Sequence, residues 1–199
     1  MQIQAIVVGW QIYEITRDPM SLAYVGLAQF IPMLLLLPTA GDIIDRFNRK
    51  TVLAISWLVL AVCSGALLWL SYADSHNLYG FYIALIFFGA GRAFMGPALQ
   101  SLLPQIVPRE RLAQALATNS MLMKVATITG PILGGFLYAY VGGITYAVCC
   151  LCFVVGILLL FFVPTLYSAQ HEGPSSDGMG VLQRFSEGIR FIWKHPIIL

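Results

Sequence analysis

Gly41-Asp-Ile-Ile-Asp-Arg-Phe-Asn-Arg-Lys50 is the stretch whose reading decides the fold. Five of its ten residues are charged, and it separates two long apolar runs. A short charged hinge in that position reads as a loop joining two membrane spans, with its cations marking the cytoplasmic side.

Working outward, apolar runs cover residues 21–40, 51–72, 79–103, 112–140 and 144–163. Each reaches the ~20 residues that a helix rising ~1.5 Å per residue needs to cross the hydrocarbon core. Residues 1–16 are helical in character but short for a span, and Pro196-Ile-Ile-Leu199 reads as a further apolar segment beginning. The expected fold is therefore all-α, a polytopic membrane helix bundle of about six transmembrane helices. Its expected organisation is a six-helix bundle over 1–165 with a truncated first helix, a cytoplasmic linker over 166–195, and the start of a seventh helix at 196–199. Within the linker, residues 168–180 are polar and flexible in composition. Leu182, Phe185, Ile189 and Ile192 then recur at helical spacing, which predicts a short amphipathic helix over 181–194.

Composition supports lipid as the solvent. The chain is 59% hydrophobic and 10% charged over 199 residues, and its mean hydropathy is +0.81. That leaves too little polar surface to cover a water-soluble globule. The net charge of +2 gives no reason to expect a nucleic-acid partner. All four cysteines, Cys63, Cys149, Cys150 and Cys152, fall inside apolar runs. Adjacent helical positions point apart, so they read as small packing residues and not as a disulfide or metal framework. The three histidines, His76, His171 and His195, fall in loops or at an interface. No metal-ligand spacing, nucleotide-cradling loop or hydrolase constellation appears, so neither enzyme nor cofactor is expected.

Orientation follows from the 11 Lys and Arg residues. With the 41–50 loop inside, Arg46, Arg49, Lys50, Arg109, Arg111, Arg184, Arg190 and Lys194 share that side, while Arg17 alone lies opposite. Tyr72, Tyr79, Tyr82, Tyr138, Tyr140, Tyr146 and Trp69 then gather at the outer helix ends, where amphipathic rings anchor at headgroup level.

Arg92 and Lys124 remain inside spans. An arginine at a helix centre costs ~2.5–3.5 kcal/mol on insertion scales, so Arg92 needs a bundle interior or a wet cavity. Gly89, Arg92, Gly96 and Gln100 share one helical stripe, with Gly89 and Gly96 expected to let a neighbouring helix approach, and Ser120, Lys124, Thr127, Pro131 and Gly134 share another. A lysine held in a low-dielectric site is suited to binding an anion or changing protonation; snorkelling to the interface is the structural alternative. Glu14 lies with Gln4 and Gln11 on one side of the first helix, as a substrate or proton ligand or as a solvated interfacial carboxylate. Gly130-Pro131-Ile-Leu-Gly134-Gly135 supplies a bend and a close helix contact.

The 41–50 stretch resembles the loop between the second and third helices of the major facilitator superfamily, Gly-x-Leu-Ala-Asp-Arg-x-Gly-Arg-Arg/Lys. Gly41, Asp45, Arg46, Arg49 and Lys50 match, and Asn48 stands where the family usually has Gly. Asn tolerates the left-handed backbone that Gly would supply. The resemblance implies the amino-terminal half of a twelve-helix transporter in the cytoplasmic membrane. Within it, the 41–50 loop acts as a gate on the partner half, Arg92 resembles the fourth-span arginine associated with proton coupling, and Gly130, Pro131, Gly134 and Gly135 resemble the antiporter motif. In that motif's upstream glycine places this chain has Ala117 and Ala126. Trp10-Gln-Ile-Tyr-Glu-Ile-Thr16 and Asp18-Pro-Met-Ser21 are similar to the bacterial drug and siderophore efflux branch that includes enterobactin-exporter-like proteins. The implied activity is export of a small molecule by alternating access, coupled to proton antiport, with the small-molecule substrate, the proton, the lipid bilayer and the carboxy-terminal six-helix half as partners. Solute uptake is the alternative within transport, and a membrane interaction module is the alternative outside it.

Overall fold

The computed structural model describes residues 1–73 and 78–164. The predicted linker, the amphipathic segment, the segment at 196–199 and all three histidines lie outside the described residues. Six α-helices follow in order: α1 (Gln2–Thr16), α2 (Met20–Arg46), α3 (Arg49–Tyr72), α4 (Leu78–Ile106), α5 (Leu112–Val141) and α6 (Thr145–Phe162). Single 3-10 turns at Arg109–Arg111 and Gly142–Ile144 lead into α5 and α6. No strand occurs among the described residues.

Four segments among the described residues are long and apolar enough to cross a membrane: Met20–Arg46, Arg49–Tyr72, Leu78–Ile106 and Arg109–Phe162. The last is broken into α5 and α6 at Gly142, whose φ of 55° is a conformation glycine adopts without a steric cost. The helices carry prolines at 32, 38, 97, 104 and 131 in their interiors. Membrane helices tolerate these because neighbouring helices and hydroxyl groups satisfy the freed backbone carbonyls.

The charged stretch at 41–50 is not a ten-residue hinge. α2 continues through Arg46 and α3 starts at Arg49, so only Phe47 and Asn48 lie between them. Arg46 pairs with Asp42 one turn earlier, Nε to Oδ2 at 3.1 Å, which holds the last turn of α2 together. Asn48 accepts the backbone N–H of Lys50 on Oδ1 at 3.0 Å and so caps α3. Its φ and ψ are −60° and 117°. The expected left-handed backbone is thus corrected: Asn serves here as a helix cap, a position that favours a side-chain acceptor.

The core falls into three clusters, the two larger ones at opposite ends of the bundle. At one end Val7, Val8 and Ile12 of α1 meet Val25, Leu67, Phe81, Leu85, Tyr138 and Tyr146, so every helix contributes. At the other, beside the α2–α3 turn, Ala40, Ile44, Leu53, Ala98, Leu102 and Leu160 pack without α1 or α5. Successive helices enter each layer from alternate ends, which is the up-and-down order of a bundle with short connections. α4 is central, in contact with α2 on one side and α3 on the other. Gly89 permits the first contact, because a Cβ there would overlap the carbonyl oxygen of Gln29 on α2.

Two rows of buried polar groups fasten α1. Ser64 Oγ is 2.8 Å from both Gln4 Oε1 and the carbonyl of Leu60. Further along, Gln11 Nε2 donates to Ser71 Oγ at 2.8 Å, and Tyr146 Oη donates to Gln11 Oε1 at 2.8 Å. Tyr138 and Tyr146 are therefore core residues, which corrects their reading as headgroup anchors. Trp69, Tyr72, Tyr79 and Tyr140 are exposed at that end of the bundle.

Candidate functional site

α5 has two halves with different surroundings. Its second half rests on α1: a Cβ at Gly130 would come within 2.5 Å of Gln2 Cβ, and one at Gly134 within 2.9 Å of the Ile3 carbonyl oxygen. Its first half buries no residue, since Gly130 is the first buried position on the helix. That half stands away from α4 and leaves a cavity of about 540 Å³ between the two helices.

Gly96 and Gln100 line the cavity from α4, and Asn119, Ser120, Lys124 and Thr127 line it from α5. Leu99, Met123 and Ile128 supply apolar wall. Ser120, Lys124 and Thr127 share a face because four- and three-residue steps return to one side of a helix. Thr127 donates its hydroxyl to the Met123 carbonyl at 2.8 Å, and its oxygen retains acceptor capacity. The result is one ammonium, two primary amides and two hydroxyls on apolar walls, with no carboxylate among the lining groups. Such a wall suits a ligand with an apolar body and an anionic or electron-rich polar group.

Lys124 lies twelve residues beyond the start of α5 at Leu112, as the sequence predicts. Arg92 does not join it. The guanidinium is half-buried on α4, makes no hydrogen bond or ion pair among the described residues, and is absent from the cavity wall. The stripe read through Gly89, Arg92, Gly96 and Gln100 splits: Gly89 packs on α2, while Gly96 and Gln100 open to the cavity. Gly96 was expected at a helix contact, but a Cβ there would meet nothing within 4 Å. A Cβ at Gly135 would stand 3.8 Å from the Trp10 ring, an ordinary contact, and Pro131 interrupts the interior of α5.

Glu14 and Gln11 are committed to helix contacts. Glu14 accepts from Trp10 Nε1 at 3.0 Å and from Tyr138 Oη at 2.7 Å, which clips α1 to α5. Gln11 is buried and uses both amide atoms. In the 41–50 stretch, Arg49 donates Nη1 to the Ser101 carbonyl of α4 at 3.1 Å. Lys50 Nζ donates to the carbonyls of Phe161 and Val163 at 3.2 and 2.9 Å, meeting the unsatisfied acceptors at the end of α6. These cations clamp the bundle that carries them. Gly41 is unobstructed, and Asp45 is exposed with no hydrogen bond or ion pair among the described residues.

Sequence reasoning missed Tyr138, Tyr146, Ser64 and Ser71. Their partners lie 60 to 135 positions away in the chain, and a tyrosine near an apolar helix end carries no local mark that distinguishes core from headgroup.

Apolar helices, short turns and a polar cleft between two of the helices define a multi-pass membrane protein with a solute-sized cavity. A family model described as Major Facilitator Superfamily matches residues 1–199, and the chain belongs to that superfamily. It is 24% identical over 189 residues to an uncharacterized MFS-type transporter, YfiS, of Bacillus subtilis, covering 94% of this chain and 44% of that protein. It is 27% identical over 126 residues to macrolide efflux protein A of Streptococcus pyogenes, covering 63% and 31%. Against the multidrug efflux pump Tap of Mycolicibacterium fortuitum the identity is 24% over 213 residues, covering 98% and 49%. The chain spans less than half the length of each of these relatives.

Proposed function

We propose that this chain is the amino-terminal bundle of a secondary transporter that exports a small molecule across the cytoplasmic membrane by alternating access, coupled to proton antiport. The observation that carries the reading is the cavity between α4 and α5, with Lys124 in its wall and no carboxylate beside it. The efflux names of two relatives support the outward direction. Gly130-Pro131 supports antiport, and the stretches at 10–16 and 18–21 support the drug and siderophore efflux branch. The cargo carries an anionic or electron-rich polar group on an apolar body. Proton exchange would involve Arg92 and Glu14 as charged groups of this bundle, and the 41–50 turn would face the cytoplasm.

The test is efflux from cells or vesicles containing the full-length protein, with and without a proton uncoupler. Export of a lipophilic anion is expected to collapse with the uncoupler. Lys124→Ala is expected to lower it by about ten- to a hundredfold, the equivalent of one charge-assisted contact of ~1.5–3 kcal/mol. Selective export of lipophilic cations, undiminished by Lys124→Ala, would overturn the cargo assignment; flux indifferent to the uncoupler would overturn the coupling.

A further inference from the structure

Helix α4 carries glycines at 80, 89, 91 and 96. The first three have a packing reason. A Cβ at Gly80 would stand 3.0 Å from the Leu70 side chain, one at Gly89 would overlap the Gln29 carbonyl, and one at Gly91 would stand 3.2 Å from the Leu60 side chain. At Gly96 a Cβ would meet nothing within 4 Å. Glycine in a helix interior is destabilising relative to alanine, so helix packing does not account for an uncrowded one. The following Pro97 does not account for it either: Pro32, Pro38 and Pro104 also lie inside helices, and Ile31, Leu37 and Leu103 precede them. What sets Gly96 apart is its place in the wall of the α4–α5 cavity, with Leu99 and Gln100 beside it on α4 and Lys124 on the other helix.

We propose that Gly96 is the specificity-determining residue of this cavity: its bare backbone leaves the width in which the apolar body of the cargo lies while the anionic group meets Lys124. The inference rests on the anionic cargo proposed above and adds the shape of the apolar body. Leu99, Met123 and Ile128 form the rest of the apolar wall. A helix surface without a side chain admits a flat ring up to the backbone, and the Met123 thioether suits the edge of an aromatic ring. The class of cargo is thus a fused-ring organic anion. Width is a sharp criterion, because one methylene in an apolar pocket discriminates by about 10- to 200-fold. Gly96→Ala brings a single carbon into the space, and Gly96→Leu brings a branched side chain.

The test measures binding of rigid sulfonates of increasing width, benzenesulfonate, naphthalene-2-sulfonate and pyrene-1-sulfonate, by equilibrium dialysis of the full-length protein in lipid nanodiscs against empty nanodiscs. Wild type is expected to bind each of them. Lys124→Ala is expected to weaken them alike, since they share the anionic group. Gly96→Leu is expected to weaken pyrene-1-sulfonate by about tenfold or more relative to benzenesulfonate, with Gly96→Ala between it and wild type. A purely structural role for the glycine would not order the anions by width. Binding that depends on Lys124 but loses the narrow and the wide anion equally in Gly96→Leu, or loses neither, would overturn this inference alone. Exclusion of pyrene-1-sulfonate by wild type would do the same, as would a lowered unfolding midpoint of Gly96→Ala, which would make the glycine a packing residue. No binding of any sulfonate by wild type, or binding that Lys124→Ala leaves unchanged, would overturn the anionic cargo and this inference with it.

Discussion

Two glycines seven residues apart on α4 have opposite surroundings. A Cβ at Gly89 would overlap the backbone of Gln29, whereas one at Gly96 would enter open space in the cavity wall. Gly89→Ala must push α2 and α4 apart, and overpacking of this kind costs about 1–3 kcal/mol. Gly96→Ala places a methyl in the cavity and leaves helix packing as it was. Thermal unfolding in detergent is expected to show a lowered midpoint for Gly89→Ala and one that is not lowered for Gly96→Ala, where Ala is the better helix former; equal midpoints would contradict the close approach of α2 and α4. Both residues sit on one stripe in the sequence, and the difference between them was not legible there. It depends on which neighbour each one faces, and helical periodicity places residues on a face without saying what lies opposite. Lys124 was legible as a polar residue on the small face of its helix because a lysine amid apolar residues is conspicuous by type. The cap at Asn48 was misread for a similar reason: the sequence shows that Asn replaces Gly, but whether its side chain or its backbone freedom is in use depends on where α3 begins.

Helix positions were the most legible part of the chain, because an apolar run of about 20 residues has few other solutions. The ends were less so. α2 runs past the apolar stretch to Arg46 since the Asp42–Arg46 pair keeps its charged last turn helical. What periodicity did not reveal was the division of α5 into a packed half and a free half. The packed half is tied to α1 by Tyr138, whose hydroxyl donates to Glu14 and whose ring stands 5.5 Å from that of Trp10. Tyr138→Phe keeps the ring and removes the donor, leaving Glu14 with Trp10 as its hydrogen-bond partner. A hydrogen bond to a charged acceptor contributes about 1.5–3 kcal/mol. Amide hydrogen exchange in α1 is therefore expected to quicken in Tyr138→Phe while exchange in α3 and α4 stays slow, since their contacts lie elsewhere. Uniform protection unchanged from wild type would show that the clip contributes nothing to the docking of α1.

For the molecule as a whole, the charged turn separates two roles that its sequence presents as one. Arg49 ties α3 to a carbonyl of α4 and Lys50 caps the end of α6 within the same bundle, so their removal loses that tie and that cap and loosens the layer formed by Ile44, Leu53, Leu102 and Leu160. Asp45 is exposed and holds nothing among the described residues, which leaves it available to a surface outside them. In the proposed cycle that surface is a helix end or a cation of the carboxy-terminal half, where a carboxylate is favoured by the positive end of the helix dipole. The two roles predict opposite signatures in the full-length protein. Arg49→Ala and Lys50→Ala are expected to lower the unfolding midpoint, with transport falling only as folded protein is lost. Asp45→Asn is expected to leave the midpoint and membrane insertion unchanged while transport per folded molecule drops, because an amide keeps the shape and discards the charge. Unfolding by intrinsic fluorescence, paired with flux in reconstituted vesicles, distinguishes them. Full transport by Asp45→Asn would remove the latch from the proposed mechanism and leave the turn as a structural clamp and a topology signal.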